Sequence, residues 1–169
     1  MSREVALRAA LSLFRIPTQA RMLRVSPLPD GVTLLLKVAV REDEALAEAV
    51  ALTKRTADDL ADASGFFIEQ VLLYPDADSY RVLGAAPEAS TGELRSHMAL
   101  LMRWLHPDVD PSRAHLANRV LRAWDEVKTA ERRQALDLRL GKTQPKYRKR
   151  PRITFRRQRL KRPLGARLL

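Results

Sequence analysis

Two amphipathic stretches separated by a short proline-containing segment place the strongest constraint on the fold of this chain. Upstream, side chains that are mostly apolar recur at the i, i+3, i+4 spacing of one helical face, at Leu94, His97, Met98, Leu101, Met102 and Leu105. Downstream, the same spacing recurs at Leu116, Ala117, Val120, Ala123, Trp124 and Val127. Because only ten residues separate Leu105 from Leu116, the helices are expected to pack antiparallel with their apolar faces together.

The upstream helix also carries a start signal. Ser90 is a good N-cap residue, and Glu93 three positions later completes a capping box. The tripeptide His106-Pro107-Asp108 follows this helix, so it is expected at the tip of the hairpin. Taken alone, the tripeptide could be a plain turn, because proline fixes φ and aspartate caps the next segment.

Residues 78–137 resemble the J domain of the DnaJ (Hsp40) co-chaperone family. Asp78-Ser79-Tyr80-Arg81-Val82-Leu83-Gly84 is similar to the family's D-x-Y-x-x-L-G, and Ala89 to Leu94 is similar to its A-[ST]-x-x-E-[IL] helix start. The His-Pro-Asp tripeptide then stands at the family's spacing. Ala123-Trp124 takes the place of Ala-Tyr, Glu131-Arg132-Arg133 that of [QE]-K-R, and Leu136-Asp137 that of Tyr-Asp.

The resemblance implies a non-enzymatic co-chaperone that stimulates ATP hydrolysis by a DnaK-type Hsp70 and needs no cofactor or metal. In the family this loop contacts the ATPase domain and the interdomain linker of Hsp70, which makes His106, Pro107 and Asp108 the candidate binding residues. Asp108 would form a charge-assisted hydrogen bond with an arginine of the partner. A loop stiffened by proline also loses little entropy on binding.

The helix before the tripeptide departs from the family pattern. The family usually carries several basic residues on the exposed face of this helix. Here Arg95 remains, whereas Ala99 and Leu100 stand where Lys or Arg is common. Arg103 is a further candidate contact, and it is expected, with Trp104, to be exposed or flanking. Association with a standard Hsp70 is therefore expected to be slower, because charge complementarity mainly raises association rates.

Residues 1–75 are expected to form an N-terminal helical module of unknown role, with its boundary at Tyr74-Pro75-Asp76. Ser2 to Phe14 has an amphipathic pattern, with its broad apolar face made by Val5, Leu7, Leu11 and Phe14. Its flanking arginines leave a mitochondrial transit peptide or a membrane-surface helix as alternatives, and Glu4 breaks the acid-free pattern of a transit peptide.

The rest of this module is predicted to be helical. The β-branched segment Val32 to Val40 lacks a strand partner, since proline cuts short Met22 to Leu28, and it is assigned to a buried helix. Another helix is predicted from Glu42 to about Leu52. A third follows the N-cap Thr56 and carries inward-facing residues at Leu60, Ala63, Phe67 and Val71.

Two alternatives from other functional classes arise from the same residues. The helices on either side of Thr56 could be a DNA-reading helix-turn-helix, but Asp58, Asp59, Asp62 and Glu69 would repel phosphates. A metal enzyme could use His106, Asp108, Asp110 and His115 as ligands. No second carboxylate–histidine cluster completes such a site or supplies a general base, and His97 is more simply a packed histidine.

The C-terminal segment is strongly basic. Residues 142–169 contain twelve Lys or Arg and no Asp or Glu, whereas the first 141 residues have a net charge of −1. The basic residues are Lys142, Lys146, Arg148, Lys149, Arg150, Arg152, Arg156, Arg157, Arg159, Lys161, Arg162 and Arg167. We expect a disordered tail from residue 141 onward that binds a polyanion: RNA or the ribosome first, DNA second and an anionic membrane third.

The sequence therefore predicts an all-α protein with a helical module (1–75), a J-like domain (76–140) and a basic tail (141–169). The chain contains no cysteine, which excludes disulfides and thiolate metal sites. It has no apolar run of about 20 residues for a membrane span and no signal-peptide core. A cytoplasmic location is expected, with the mitochondrial matrix as the alternative. A nucleic-acid-binding protein with a degenerate J-like domain is the alternative function.

Overall fold

The computed structural model describes residues 3–106, 108 and 110–141, and every regular element within them is helical, as the all-α prediction requires. The α-helices of these residues are α1 (Val5–Arg15), α2 (Ala20–Val25), α3 (Val32–Ala39), α4 (Asp43–Thr53), α5 (Ala57–Phe67), α6 (Ser79–Val82), α7 (Thr91–Trp104), α8 (Ala114–Val127) and α9 (Ala130–Arg139). Short 3-10 turns occupy Pro17–Gln19 and Pro111–Arg113, and α5 continues into a π turn at Ile68–Leu72. The predicted basic tail lies outside the described residues.

Side-chain caps explain where several of these helices begin. The hydroxyls of Thr56 and Ser90 each accept a hydrogen bond from the backbone N–H three residues later, at 3.1 Å. Asp78 caps α6 and Thr129 caps α9 in the same way. These bonds satisfy backbone donors that have no partner within the helix. The predicted N-caps at Thr56 and Ser90 are therefore confirmed.

The ambiguous β-branched segment is helical. It forms α3, whose buried residues include Val32, Leu35 and Val38. Gly31 precedes it with a φ of +93°, and an added Cβ there would lie 2.0 Å from the carbonyl oxygen of Arg3. Only glycine fits at position 31, because any side chain there would collide with the backbone of Arg3, which lies against the start of α3.

The buried face of α1 differs from the predicted one. Leu7 is buried as expected, but Val5 is 40% exposed and Phe14 is 48% exposed. The helix instead buries the set Ala6, Leu7, Ala10 and Leu13. Alanines are uninformative in a hydrophobicity pattern, yet small side chains allow α1 to approach α5 closely, which rotates the buried face away from the larger residues.

α7 and α8 pack as an antiparallel hairpin. Near the loop, the guanidinium of Arg113 lies 4.4 Å from the ring centroid of Trp104, the last residue of α7. At the opposite end, Arg95 early in α7 lies 5.8 Å from the ring centroid of Trp124 late in α8. The end of one helix is therefore next to the start of the other. Of the two predicted apolar faces, the buried residues are Leu94, His97, Leu101, Leu105, Val120, Ala123 and Val127.

The hairpin has a second buried side, which corrects two expectations. Leu100 and Trp104 are buried rather than exposed or flanking. The reason is that α3 and α5 of the N-terminal module cover this side of α7: a Cβ added to Gly65 of α5 would lie 3.3 Å from the Trp104 ring. The buried apolar residues on the two sides of the predicted boundary at residues 74–76 belong to one continuous hydrophobic core.

His97 ties three elements of this core together. Its Nδ1–H donates to the carbonyl oxygen of Leu83 at 3.0 Å, and the Thr33 hydroxyl donates to its Nε2 at 2.8 Å. These partners fix the tautomer, because the carbonyl accepts only. Burial lowers the pKa of His97 below its ordinary value. The prediction that His97 is a packed histidine is therefore confirmed.

Arginine side chains hold the connecting segments to the helices. Arg119 of α8 donates to the carbonyl oxygens of Leu73, Tyr74 and Pro75 at 2.9, 2.7 and 3.1 Å. These carbonyls follow the π turn, and the Tyr74 carbonyl also accepts a hydrogen bond from the Ala77 N–H at 3.1 Å. The segment that joins the N-terminal module to α6 is thus fixed to the hairpin through charge-assisted hydrogen bonds.

A buried polar cluster joins the start of the J-like region to its end. The Tyr80 hydroxyl of α6 donates to Asp137 Oδ1 of α9 at 2.7 Å, and both residues are buried. Arg133 donates to the Tyr80 hydroxyl at 3.2 Å and to the carbonyl oxygen of Ala89 at 2.6 Å. Burial, followed by the hydrogen bond to Asp137, raises the pKa of Tyr80 to about 12.

Candidate functional site

The candidate site is the loop that joins α7 to α8. α7 ends at Trp104, and the His106 and Asp108 side chains that follow are 55% and 88% exposed. Pro107, the middle residue of the tripeptide, lies outside the described residues. Two polar groups of different chemistry are thus presented to solvent at the tip of a packed hairpin, where a partner can reach both.

His106 and Asp108 contact each other in two alternative ways. The backbone N–H of Asp108 donates to His106 Nδ1 at 3.3 Å, which requires a neutral imidazole. Asp108 Oδ2 lies 3.5 Å from the same nitrogen, and this contact becomes an ion pair only when the ring is protonated. In both states Asp108 Oδ1 has no part in the contact and remains available to a donor from a partner.

The side of the loop that leads into α8 is ordered by Asp110. Its Oδ1 accepts hydrogen bonds from the Ser112 hydroxyl at 2.6 Å and from the Ser112 backbone N–H at 3.0 Å. These two bonds hold the pKa of Asp110 below its ordinary value, with Arg113 adding a smaller electrostatic contribution. The Asp110 N–H in turn donates to the His106 carbonyl oxygen at 3.3 Å, which links the α8 side of the loop to the residue that follows α7 by two positions.

Arg113 is a site residue that the sequence analysis missed. Its Nε lies 3.1 Å from Asp110 Oδ2, its Nη2 lies 3.1 Å from Glu69 Oε1, and its guanidinium stacks on the Trp104 ring. We call Glu69, Trp104, Asp110 and Arg113 together the Arg113 bridge. The Asp110–Arg113 spacing of i, i+3 was a visible signal for one contact. Nothing in the local sequence indicated the partner Glu69, which lies 44 positions earlier.

Few basic residues lie on the exposed face of α7, and one of them already contacts an aromatic ring. Arg95 is exposed but lies over the Trp124 ring, and Arg103 is exposed beside the loop. Ala99 is exposed as expected, so it is a position where a basic residue is absent. Leu100 is not such a position, since it is buried against the N-terminal module. The predicted weakness of the basic face therefore rests on Ala99 alone.

A groove of about 690 Å³ opens beside the loop between α7 and the N-terminal module. Phe14 and Phe66, which meet edge to face at 5.6 Å between ring centroids, form one wall with Gly65. Arg103 and Trp104 form the wall on the α7 side. The Arg113 bridge lies at this junction, so the N-terminal module is in direct contact with the base of the loop.

The metal-site alternative finds no geometric support in this loop. Both Asp110 oxygens are engaged by Ser112 and Arg113, and His115 Nδ1 donates to the Ser112 carbonyl oxygen at 3.1 Å. Within residues 3–106, 108 and 110–141, no group of three or more His, Cys, Asp and Glu side chains is placed to hold a metal ion.

The helix-turn-helix alternative meets the same acidic surface that opposed it in the sequence. Asp58 is exposed and paired with Arg41 at 2.8 Å, while Glu69 belongs to the Arg113 bridge. The helix after Thr56 therefore presents carboxylates at its surface and buries Leu60 and Phe67. Such a helix would bring negative charge towards DNA phosphates.

The twelve basic residues predicted to bind a polyanion lie between positions 142 and 167, outside the described residues. Among the helices that are described, none combines the length and the apolar character needed to cross a lipid bilayer. Comparison with known proteins identifies no relative: no family model matches the chain, and no curated protein or solved structure matches it either.

Proposed function

We propose that this chain is a J-domain co-chaperone, which stimulates ATP hydrolysis by a DnaK-type Hsp70 through His106, Pro107 and Asp108. The observation that carries the proposal is the exposure of His106 and Asp108 at the tip of an antiparallel hairpin. Residues of the J-like sequence pattern that lie outside the loop also support the proposal. Asp78 caps the short helix α6, and the Tyr80 ring of D-x-Y-x-x-L-G lies in the core.

The polar contacts between α6 and α9 also support the proposal. Arg133, at the last position of the [QE]-K-R match, bonds to Tyr80 and to the carbonyl of Ala89 ahead of α7. Asp137, which matches the Asp of the family's Tyr-Asp, accepts the Tyr80 hydroxyl hydrogen bond. The matching residues therefore contact one another across the fold, rather than being scattered over its surface.

The mechanism follows from the chemistry of the exposed loop. Asp108 can accept a charge-assisted hydrogen bond from an arginine of Hsp70, which is about twice as strong as a neutral one. The imidazole of His106 can donate or accept, depending on its protonation. The chain itself supplies no chemical group to ATP hydrolysis; it binds Hsp70 and favours the hydrolysing conformation, which requires differential affinity for that state.

The proposal is tested by single-turnover ATP hydrolysis with an Hsp70 from the same cell. Asp108→Asn and His106→Gln are expected to abolish stimulation while circular dichroism shows unchanged helicity. Asp76→Asn is the matched control, because Asp76 is an exposed aspartate ahead of α6 and outside the loop. A parent protein that stimulates no Hsp70 of its own cell would refute the proposal.

The sparse basic face makes a second measurement useful. Ala99→Lys places a positive charge on the exposed side of α7 and is expected to raise the association rate with Hsp70, mainly at low salt. Leu100→Lys is a contrasting variant, because it would bury the charge and destabilise the fold. An unchanged association rate for Ala99→Lys would show that charge on this face plays no role here.

We also infer that the basic segment binds a polyanion, with RNA or the ribosome favoured. This rests on twelve basic residues and no acidic residue between 142 and 169. If about six charges engage single-stranded phosphates, the slope of log K against log salt is roughly −4. Deletion of residues 142–169 is expected to remove RNA binding and leave Hsp70 stimulation nearly unchanged. Full RNA binding by the truncated chain would refute this role.

Measuring both Hsp70 stimulation and RNA binding also distinguishes a co-chaperone from the principal alternative function. A nucleic-acid-binding protein with a degenerate J-like domain would bind RNA or DNA through the same segment but would not stimulate any Hsp70. Asp108→Asn then has no effect on any measured activity of the protein. A pulldown from native lysate distinguishes these cases, since Asp108-dependent and ATP-dependent recovery of Hsp70 is expected only from a co-chaperone.

A further inference from the structure

The Arg113 bridge connects the loop to a part of the molecule outside the J-like region. Trp104 lies two positions before His106, and Asp110 lies two positions after Asp108. The guanidinium of Arg113 stacks on the Trp104 ring, 4.4 Å from its centroid, and its Nε lies 3.1 Å from Asp110 Oδ2. Arg113 therefore joins the two ends of the loop across its base.

The remaining contact of Arg113 comes from the N-terminal module. Glu69 Oε1 lies 3.1 Å from Arg113 Nη2, and Glu69 is carried by the π turn that continues α5. The two side chains are 34% and 28% exposed, so the pair is partly screened from solvent. We propose that Glu69 is a positioning residue, through which the N-terminal module holds Arg113, and with it the two ends of the loop at Trp104 and Asp110, in the arrangement that binds a partner.

The guanidinium group is suited to this arrangement. Its planar face stacks on an aromatic ring while its edge N–H groups donate in fixed directions to two carboxylates. Trp104 is itself held in place, because its ring packs on Gly65 of α5. The bridge thus has one rigid apolar support and two charged contacts, and both Trp104 and Glu69 transmit the position of α5 to the loop.

The bridge would affect binding by setting the fraction of molecules whose loop has the binding conformation. A partner that recognises one loop conformation binds with an affinity reduced by the fraction of molecules in that conformation. Loosening the bridge therefore raises the concentration of this protein needed for half-maximal stimulation and leaves the maximum unchanged. This consequence rests on the proposed function, whereas the order of the loop can be measured without any Hsp70.

The first experiment measures loop order in the full chain. NMR methods for fast amide exchange report on the N–H groups of Asp110, Ser112 and Arg113, which bond to His106, to the Asp110 carboxylate and to the Asp110 carbonyl oxygen. Glu69→Gln keeps the shape of the side chain and removes its charge. We expect these amides to exchange about two- to fivefold faster, as for the loss of a partly exposed ion pair.

The chain offers a matched control for this change. Asp58 of α5 pairs with Arg41 at 2.8 Å in the same module, and neither residue belongs to the Arg113 bridge. Asp58→Asn removes a more exposed ion pair of the same module and is expected to leave the loop amides unchanged. A double-mutant cycle with Arg113→Met completes the test, because Glu69→Gln should add nothing once Arg113 is absent. Equal exchange in Glu69→Gln and Asp58→Asn would overturn the proposal.

The second experiment uses Hsp70 and separates positioning from a general loss of structure. For Glu69→Gln we expect a two- to fivefold higher half-saturating concentration, on the order set by the lost ion pair, with the same maximal stimulation. A fall in the maximum alone would contradict the positioning role. If the parent protein stimulates no Hsp70, the proposed function fails, and the exchange experiment still decides whether Glu69 positions the loop.

Discussion

Replacing Tyr80 with phenylalanine tests the cluster that joins α6 to α9. The change keeps the buried ring and removes the hydroxyl that donates to Asp137 Oδ1 at 2.7 Å and accepts from Arg133 at 3.2 Å. A hydrogen bond to a charged group contributes about 1.5–3 kcal/mol. We therefore expect Tyr80→Phe to lower the free energy of unfolding by about that amount, and the urea midpoint by roughly 1 M if m is about 2 kcal/mol/M.

The same variant has an expected signature in alkaline solution. Burial raises the pKa of Tyr80 from 10.0 to about 12, so the folded chain retains this proton more strongly than the unfolded chain. The stabilisation is complete below pH 10 and is lost as the pH rises towards 12. Stability of the parent should therefore decline across this interval more steeply than stability of Tyr80→Phe.

Tyr74→Phe provides the control for both measurements. Tyr74 is only partly buried, and Arg24 lies over its ring at 5.2 Å, an interaction that phenylalanine can also make. We expect this variant to change the free energy of unfolding by less than about 0.5 kcal/mol. The reasoning is refuted if Tyr80→Phe matches Tyr74→Phe at neutral pH, or if it declines with alkaline pH as steeply as the parent.

Three further outcomes follow from buried side chains and arginine contacts. Leu101→Ala in the hairpin seam should cost about 2–5 kcal/mol in urea unfolding, whereas Leu138→Ala, at a site 69% exposed, should cost less than about 0.5 kcal/mol. Because burial depresses the pKa of His97, its stabilisation is present above pH 6.5 and lost as the pH falls below it; His97→Gln should flatten this acid slope. Arg119→Met should speed hydrogen exchange at the Ala77 N–H relative to Arg122→Met, because Arg119 bonds to the carbonyl oxygens of residues 73–75, the Ala77 N–H donates to the Tyr74 carbonyl oxygen, and Arg122 is exposed.

Local sequence determined most of the helices and their starts. Ser90 and Thr56 were identifiable as N-caps because the bond that each makes closes within three residues. The seam of α7 and α8 was readable because its larger apolar residues recur with helical spacing. The helical state of Val32–Ala39 followed from the lack of a strand partner, which is also a property of the sequence.

The exposed residues His106 and Asp108 were likewise located from the sequence, in a short segment between two periodic stretches. Their role as a binding site for Hsp70 is a prediction that the ATP hydrolysis experiment tests. The basic segment, residues 142–169, is also known from composition alone, and its polyanion binding remains a prediction. These features depend on residues that are neighbours in the chain, which is why sequence spacing could describe them.

Tertiary structure decided which faces are buried and which distant residues meet. Leu100 and Trp104 were expected on the outside of α7, but α3 and α5 cover that side of the helix. The face of α1 shifted towards its alanines for a related reason, since close approach to another helix favours small side chains over large ones. The contact of Glu69 with Arg113 spans 44 positions and leaves no local pattern. The spacing of apolar residues indicates which side of a helix can be buried. Which other helix covers that side depends on the packing of the whole chain.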